Sequence, residues 1–189
     1  MKIFKKKVFE YEDINFVLCE CSKENRKAQE YLYKTYYKYA LNIAIRFAKN
    51  HDTANEIIND SFLKIFLFLS EGKKINDFKK FLKKIIINKA IDYYRSKKKL
   101  QSNISYEDYL PEIELSDNVI SNLTAKEILF HLNNLPNIYR LIFVLYEIDG
   151  YSHKEISKKL GITEVNSRKN LSRAKIQLKS MLQKGGIYE

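Results

Sequence analysis

Turn-forming residues are scarce in this sequence, which has five glycines and two prolines among 189 residues. Strand-and-hairpin folds need such residues at every turn, whereas the apolar residues here recur every three or four positions, so the expected class is all-α. Cysteine is scarcer still. Cys19 and Cys21 sit one residue apart, and His51, His131 and His153 lie far from them and from one another. That arrangement offers no zinc-ligand spacing and no reason to expect a cofactor. Two free thiols in a reducing cytoplasm are the expectation. Long apolar runs are missing as well: stretches such as Leu141–Tyr146 fall far short of the roughly 18 to 20 residues that span a bilayer. The basic segment Met1–Lys7 is followed by Val8, Phe9, Glu10 and Tyr11, not by an apolar core, and does not read as a signal peptide. These absences predict a cytoplasmic protein without membrane insertion. There is also no Gly-rich phosphate loop, metal set or paired nucleophile and base, so an enzyme is not expected.

What the sequence has is positive charge on a foldable chain. At 45% hydrophobic and 30% charged, it is too apolar for wholesale disorder and long enough for one or two compact domains. The 34 Lys and Arg outnumber 23 Asp and Glu, a formal charge of +11, which points to a polyanionic partner. Only six of the basic residues are Arg, namely Arg26, Arg46, Arg95, Arg140, Arg168 and Arg173. Most of the field therefore comes from Lys, a hydrated point charge suited to phosphate.

Helical stripes divide the chain. Leu32, Tyr36, Tyr39, Ile43 and Phe47 form an apolar face at spacings of three and four. A second stripe runs Ile58, Phe62, Ile65, Leu69 and stops near Gly72, with Asp52 or Thr53 as the expected cap and Thr53-x-x-Glu56 at capping-box spacing. A third carries Phe78, Leu82, Ile86, Ala90 and Tyr94. These three, with a shorter helix between Tyr11 and Ser22, predict one unit. From Leu100 to Ala125 the chain holds five acids (Glu107, Asp108, Glu112, Glu114, Asp117), Pro111, and no Lys or Arg, and it reads as a linker. A second helical unit follows: one helix over Thr124–Leu135, another from Ile138 toward Gly150, and two more split by Gly161.

The sharpest local pattern is Tyr151–Lys175. Ser152 to Glu155 has capping-box spacing, Ile156 and Leu160 point inward, Gly161 supplies a turn, Ile162 plugs the corner and Thr163 caps the next helix. This is a helix-turn-helix pattern. With Leu171, Ala174, Leu178 and Leu182 facing the core, Arg168, Lys169 and Ser172 share the opposite face, where a recognition helix meets base edges. Arg173 and Lys175 flank it and suit phosphates. Nine Lys and Arg against three acids from Tyr151 onward favour DNA over an ordinary helical hairpin. A second basic surface lies on Lys79–Lys99, with nine Lys and Arg and the single acid Asp92. Its aromatic residues, Tyr93 and Tyr94 above all, could stack unpaired bases while lysines follow the backbone. Phe78 and Phe81 read as core.

Taken in order, these segments resemble the extracytoplasmic-function group of sigma-70 family RNA polymerase sigma factors, from about Cys21 to Gln183. Arg26–Tyr37 resembles the first helix of region 2. Asp52–Lys64 resembles the segment that grips the clamp of the largest polymerase subunit, implying a docking set of Asn55, Glu56, Asn59, Asp60, Phe62 and Leu63. Phe78–Arg95 is similar to the promoter-melting and minus-ten-reading stretch. That implies contacts from Asn88, Asp92, Tyr93, Arg95, Lys97 and Lys98, and a flipped base received by the loop Ser70–Asp77. Leu135-Pro136 and Tyr151–Lys175 resemble region 4, implying a minus-35 set of Thr163, Asn166, Ser167, Arg168, Lys169, Ser172, Arg173 and Lys175.

The implied organisation is an N-terminal extension over 1–22, region 2 over 23–99, a linker over 100–123, region 4 over 124–183 and a tail over 184–189. The implied partners are core RNA polymerase, through its clamp and, for region 4, the flap of the second-largest subunit; promoter DNA; and an anti-sigma factor. The 26 residues from Leu100 to Ala125 reach at most roughly 85 to 95 Å when extended, enough for two turns of B-DNA at about 70 Å. Their acidity suits a path through the RNA-exit channel, or simple solvation. The chain departs from its relatives at three places: Val165-Asn166 stands where Gly-Thr is usual, Asn170 where Arg or Gln is usual, and Phe81 where many carry Trp. The rival expectation is a freestanding helix-turn-helix regulator that never engages core polymerase.

Overall fold

The computed structural model describes residues 13–100 and 130–184, except the side chains of 97–100 and 184. The expected linker after Leu100, residues 124–129 of the expected helix over Thr124–Leu135, the tail after Lys184 and the first twelve residues of the expected N-terminal extension lie outside the described residues. Seven α-helices are seen: α1 (Ile14–Ser22), α2 (Arg26–Ala44), α3 (His51–Ser70), α4 (Phe78–Leu100), α5 (Asn137–Phe143), α6 (His153–Leu160) and α7 (Glu164–Lys184). Residues 130–133 are also helical, and among the described residues there is no strand.

In the first unit, α2, α3 and α4 pack around one another and α1 lies against α2 and α3. Leu32, Ile43, Ile58, Phe62, Ile65, Leu82, Ile86 and Ile87 fill the interior, so the four-residue stripes face inward as their spacing requires. The cap of α3 is Asn50, whose Oδ1 accepts from the Thr53 amide at 2.9 Å; neither Asp52 nor Thr53 takes that place. An Asn before the first turn satisfies an orphan amide without surrendering a helical residue. The helix ends at Ser70 with Glu71 as its C-cap, and Gly72 follows at φ 76°. Cys19 is exposed, Cys21 is buried with its thiol pKa pushed up to about 11 by burial, and both are free thiols.

In the second unit, α5 passes directly into one π-helical turn, Val144–Ile148, instead of continuing as α-helix to Gly150. Its apolar residues Leu141, Ile142, Phe143, Val144 and Leu145 are buried, mainly against α7. The π turn shifts the helix phase and sets the polar residues Glu147 and Asp149 toward α7 and α4, where each meets a lysine.

Candidate nucleic-acid interface

The helix-turn-helix forms as its pattern predicts. Ser152 and Glu155 make the reciprocal capping box of α6, Gly161 closes it in the left-handed conformation at φ 64°, and Thr163 Oγ1 accepts from the Asn166 amide at 3.1 Å to start α7. Ile156, Leu160, Leu171, Ala174 and Leu178 hold the two helices together. The outward side of α7 carries Arg168 and Lys169, both exposed, with Asn166 at its N-terminal end. Ser172 and Arg173 are half-buried. Arg168 is steadied by Glu164 one turn earlier, at 3.1 Å. Lys175 is drawn to Glu147 of the π turn at 2.9 Å.

Ser167 does not belong to this surface. It is fully buried, and its Oγ lies 2.9 Å from Nδ1 of His153. Its bond to His153 of the preceding helix braces α6 against α7. Burial, and then the nearby Arg168, hold the His153 pKa below the ordinary histidine value. Its ring also stacks on Tyr146 at 4.4 Å. Val165, expected only as a departure from the usual small residue, is 59% exposed beside Asn166.

On the first unit, Asp92 and Arg95 are exposed on α4, one turn apart. The side chains of Lys97 and Lys98 lie outside the described residues. Tyr93 and Tyr94 are half-buried, with the Tyr93 hydroxyl 3.4 Å from Thr53 Oγ1 and the Tyr94 phenol pKa raised by burial. The α3–α4 loop opens into a pocket of about 270 Å³ lined by Lys74, Ile75, Asn76, Asp77, Phe81 and Lys84 among others. Phe78 is core, whereas Phe81 is only half-buried, braced by Phe68 at 4.8 Å. Asp77 caps the start of α4, which lowers its pKa through the Lys80 amide.

The outer face of α3 carries Glu56, Asn59, Asp60 and Leu63, all exposed. Asn59 accepts from the Tyr33 hydroxyl at 2.8 Å, half-buried Asn55 accepts from that of Tyr37 at 2.7 Å, and Asp60 pairs with Lys89 at 3.2 Å. Phe62 faces the other way. It is 1% exposed and packs against Tyr33 at 4.8 Å, so it lies beneath that face and cannot reach a partner. Leu63 at 59% and Leu67 at 57% exposed form an apolar pair four residues apart. Leu67 was missed, although its position two residues from both Ile65 and Leu69 puts it on the opposite face from the inward stripe.

The two units touch, and they do so through residues assigned to DNA. Helix α6 packs on α4, Lys159 Nζ donates to Asn88 Oδ1 at 3.1 Å, and Lys159 also lies over the Tyr151 ring at 5.1 Å. The Asp149 side chain is fully buried 2.7 Å from Lys83 Nζ, an ion pair without an oriented hydrogen bond. Arg140 donates across to the Ala48 carbonyl at 3.2 Å. Asn88 is therefore not a free base-reading group in this arrangement. Among the described residues, no group of three or more His, Cys, Asp or Glu could hold a metal ion, and no helix is long and apolar enough to cross a membrane.

Comparison with known proteins agrees in both units. Residues 32–100 match the family model for sigma-70 region 2, and residues 125–178 match that for sigma-70 region 4. RNA polymerase sigma factor YlaC of Bacillus subtilis is 29% identical over 171 residues, covering 85% of this chain and 95% of that protein. The ECF RNA polymerase sigma factor SigM of the same organism is 24% identical over 169 residues, covering 82% and 94%. A solved structure of the sigma factor RpoE in complex with the anti-sigma factor NepR from Bartonella quintana shares 18% identity over 82% of this chain and 96% of that one, with a TM-score of 0.49.

Proposed function

The chain belongs to the extracytoplasmic-function group of sigma-70 family RNA polymerase sigma factors, which direct core polymerase to promoters, and we propose how its residues divide that work. Region 4, over 124–183, reads the minus-35 element in duplex form. Arg168 and Lys169 face base edges from the major groove, Asn166 and Ser172 add polar contacts at the two ends of that face, Thr163 and Arg173 meet phosphates, and Val165 meets a thymine methyl. Lys175 reaches a phosphate only by leaving Glu147. Region 2, over 23–99, docks on the polymerase clamp through Glu56, Asn59, Asp60 and Leu63, extended by Leu67 and backed by Asn55. An apolar pair ringed by polar groups suits a protein partner, because it is desolvated at the centre while the rim stays wet.

Melting falls to the α3–α4 pocket and to Asn88, Asp92, Tyr93, Arg95, Lys97 and Lys98. The pocket accepts a flipped nontemplate base, with Phe81 supplying a stacking edge and Lys74 and Lys84 the charge. Asn88 becomes available when Lys159 releases it, so promoter engagement separates the two units, the linker over 100–123 allowing the span. The polymerase makes the RNA, and no cofactor or covalent step is assigned to this chain. The flap of the second-largest subunit holds region 4, and an anti-sigma factor is a further partner in the same cytoplasmic setting.

The observation that carries this reading is the occurrence, in one chain, of an exposed basic helix-turn-helix face and a basic aromatic pocket next to the mixed face of α3. It is tested by combining the protein with purified core polymerase on a pool of genomic templates. Promoter-dependent transcripts are expected, and the double change Leu63→Asp and Leu67→Asp is expected to reduce them at least tenfold while the protein stays folded. Footprinting of duplex DNA by the protein alone, with no transcript from any template, would favour the freestanding regulator instead.

A further inference from the structure

Arg140 is the most deeply buried basic side chain among the described residues, at 2% exposed, and no carboxylate there pairs with it. Its terminal nitrogens donate to the Ala48 carbonyl, Asn133 Oδ1 and Asn137 Oδ1, while its Nε has no hydrogen-bond partner. Burial pulls its pKa down to about 10, which still leaves a full positive charge at neutral pH. A buried guanidinium without a counter-charge is costly, and an anion in the adjoining cavity would offset that cost.

The surroundings supply the rest of an anion site. Arg140 lines a cavity of about 200 Å³ between the two units, together with the polar residues Lys49, Asn50, Thr53 and Asn137 and, among the described residues, no acid. Asn50 and Thr53 stand at the N-terminus of α3, a helix of 20 residues whose positive end favours negative charge, although Asn50 already caps the Thr53 amide and Asp52 lies in the first turn. Phe47, Tyr93 and Tyr94 provide aromatic walls. Two cations, a helix N-terminus and the side-chain amide of Asn137 thus line a space large enough for a small oxyanion and a planar ring.

We propose that this cavity between the two units binds the phosphoryl group of a small molecule, held by Arg140 and Asn137 on one side and by Lys49 and the α3 N-terminus on the other. Because the ligand touches both units, it binds only while they are joined. At a hundred times its dissociation constant it lowers the population of the separated form about a hundredfold. Phosphoryl ligands therefore oppose the opening that promoter engagement requires. That regulatory consequence rests on the promoter reading above, but the binding itself does not.

The test uses the full chain at constant ionic strength. Inorganic phosphate and, separately, adenosine monophosphate are titrated in place of chloride, and binding is read by calorimetry and by the unfolding temperature. A saturable rise is expected with at least one of them and none with chloride. Tenfold tighter binding of the nucleotide makes the ligand a phosphorylated metabolite, and equal or weaker binding makes it free phosphate; either result supports the site. Lys49→Gln, an exposed change that leaves the fold intact, is expected to weaken binding at least fivefold, and Arg140→Gln to abolish it if that variant folds. Equal binding in Lys49→Gln, or no binding in the wild type, overturns the proposal. So does binding that emerges only when Glu107, Asp108, Glu112, Glu114 and Asp117 are neutralised, since the chain's own acids would then be the counter-charge. In transcription with core polymerase, the ligand is expected to inhibit the wild type and to spare Lys49→Gln. Binding without transcription under any condition would sink the promoter reading and leave the site standing.

Discussion

In the first unit α2, α3 and α4 are 19, 20 and 23 residues long, and each gives a continuous apolar face to the other two. In the second, α5 and α6 have only seven and eight residues, well below the length at which a helix holds itself together in water. The short α6 carries more local fastening for its size, in the Ser152–Glu155 box, the left-handed Gly161 and the His153–Ser167 bond to the 21-residue α7. Length lets burial dominate in one unit, and shortness makes caps and side-chain hydrogen bonds matter in the other. The difference also suits the partners. On the proposed division of labour, a long α3 would offer a polymerase an extended face, whereas the helix pair would enter a groove.

Adjacent residues on α3 break this comparison most directly. Phe62→Ala should cost about 3 to 5 kcal/mol of stability, because it opens a cavity between α2 and α3; denaturant unfolding measures it. Leu63→Ala should leave the unfolding midpoint almost unchanged and weaken binding to core polymerase, and a stability loss rivalling that of Phe62→Ala would mean that Leu63 is core after all. On α7, Arg168→Ala should cost about 1 to 3 kcal/mol at a single minus-35 base pair. Binding-site selection with the holoenzyme reads this, and a uniform loss across sequences would reassign Arg168 to the backbone.

Smaller effects test the fastenings. Ser152→Ala removes the α6 cap and should destabilise the protein by about 1 kcal/mol. No change would mean that tertiary packing, as in the first unit, already fixes α6. The smallest effect is set by pH. The folded protein holds His153 below the ordinary histidine pKa of 6.5, so the unfolded chain binds the proton more readily. Stability from this group is present above that value and declines as pH falls through it. Thermal unfolding followed between neutral and mildly acidic pH should show the decline, and His153→Gln should flatten it.

Periodicity made the helices legible, and the turn chemistry of Ser152, Gly161 and Thr163 made the helix-turn-helix legible at residue level. Facing was harder. Phe62 and Leu63 are neighbours of similar character, and only the turn of α3 against Tyr33 sends one inward and leaves the other in solvent. Ser167 looked like a polar surface residue because its partner, His153, belongs to a different helix. The π turn at Val144–Ile148 has no simple sequence signature, and it shifts the phase on which the placement of Glu147 and Asp149 depends.

The sequence by itself determined that this chain is helical, that its charge falls into two basic stretches parted by an acidic one, and that the second stretch carries a helix-turn-helix. Those are properties of spacing and of residues within a few positions of each other. Only the tertiary structure decided that Lys159 meets Asn88, that Lys83 meets Asp149, and that Arg140 reaches Ala48 across the unit boundary. Such pairs lie tens of residues apart and share no periodicity, so local pattern carries no information about them. They follow from how two finished surfaces meet.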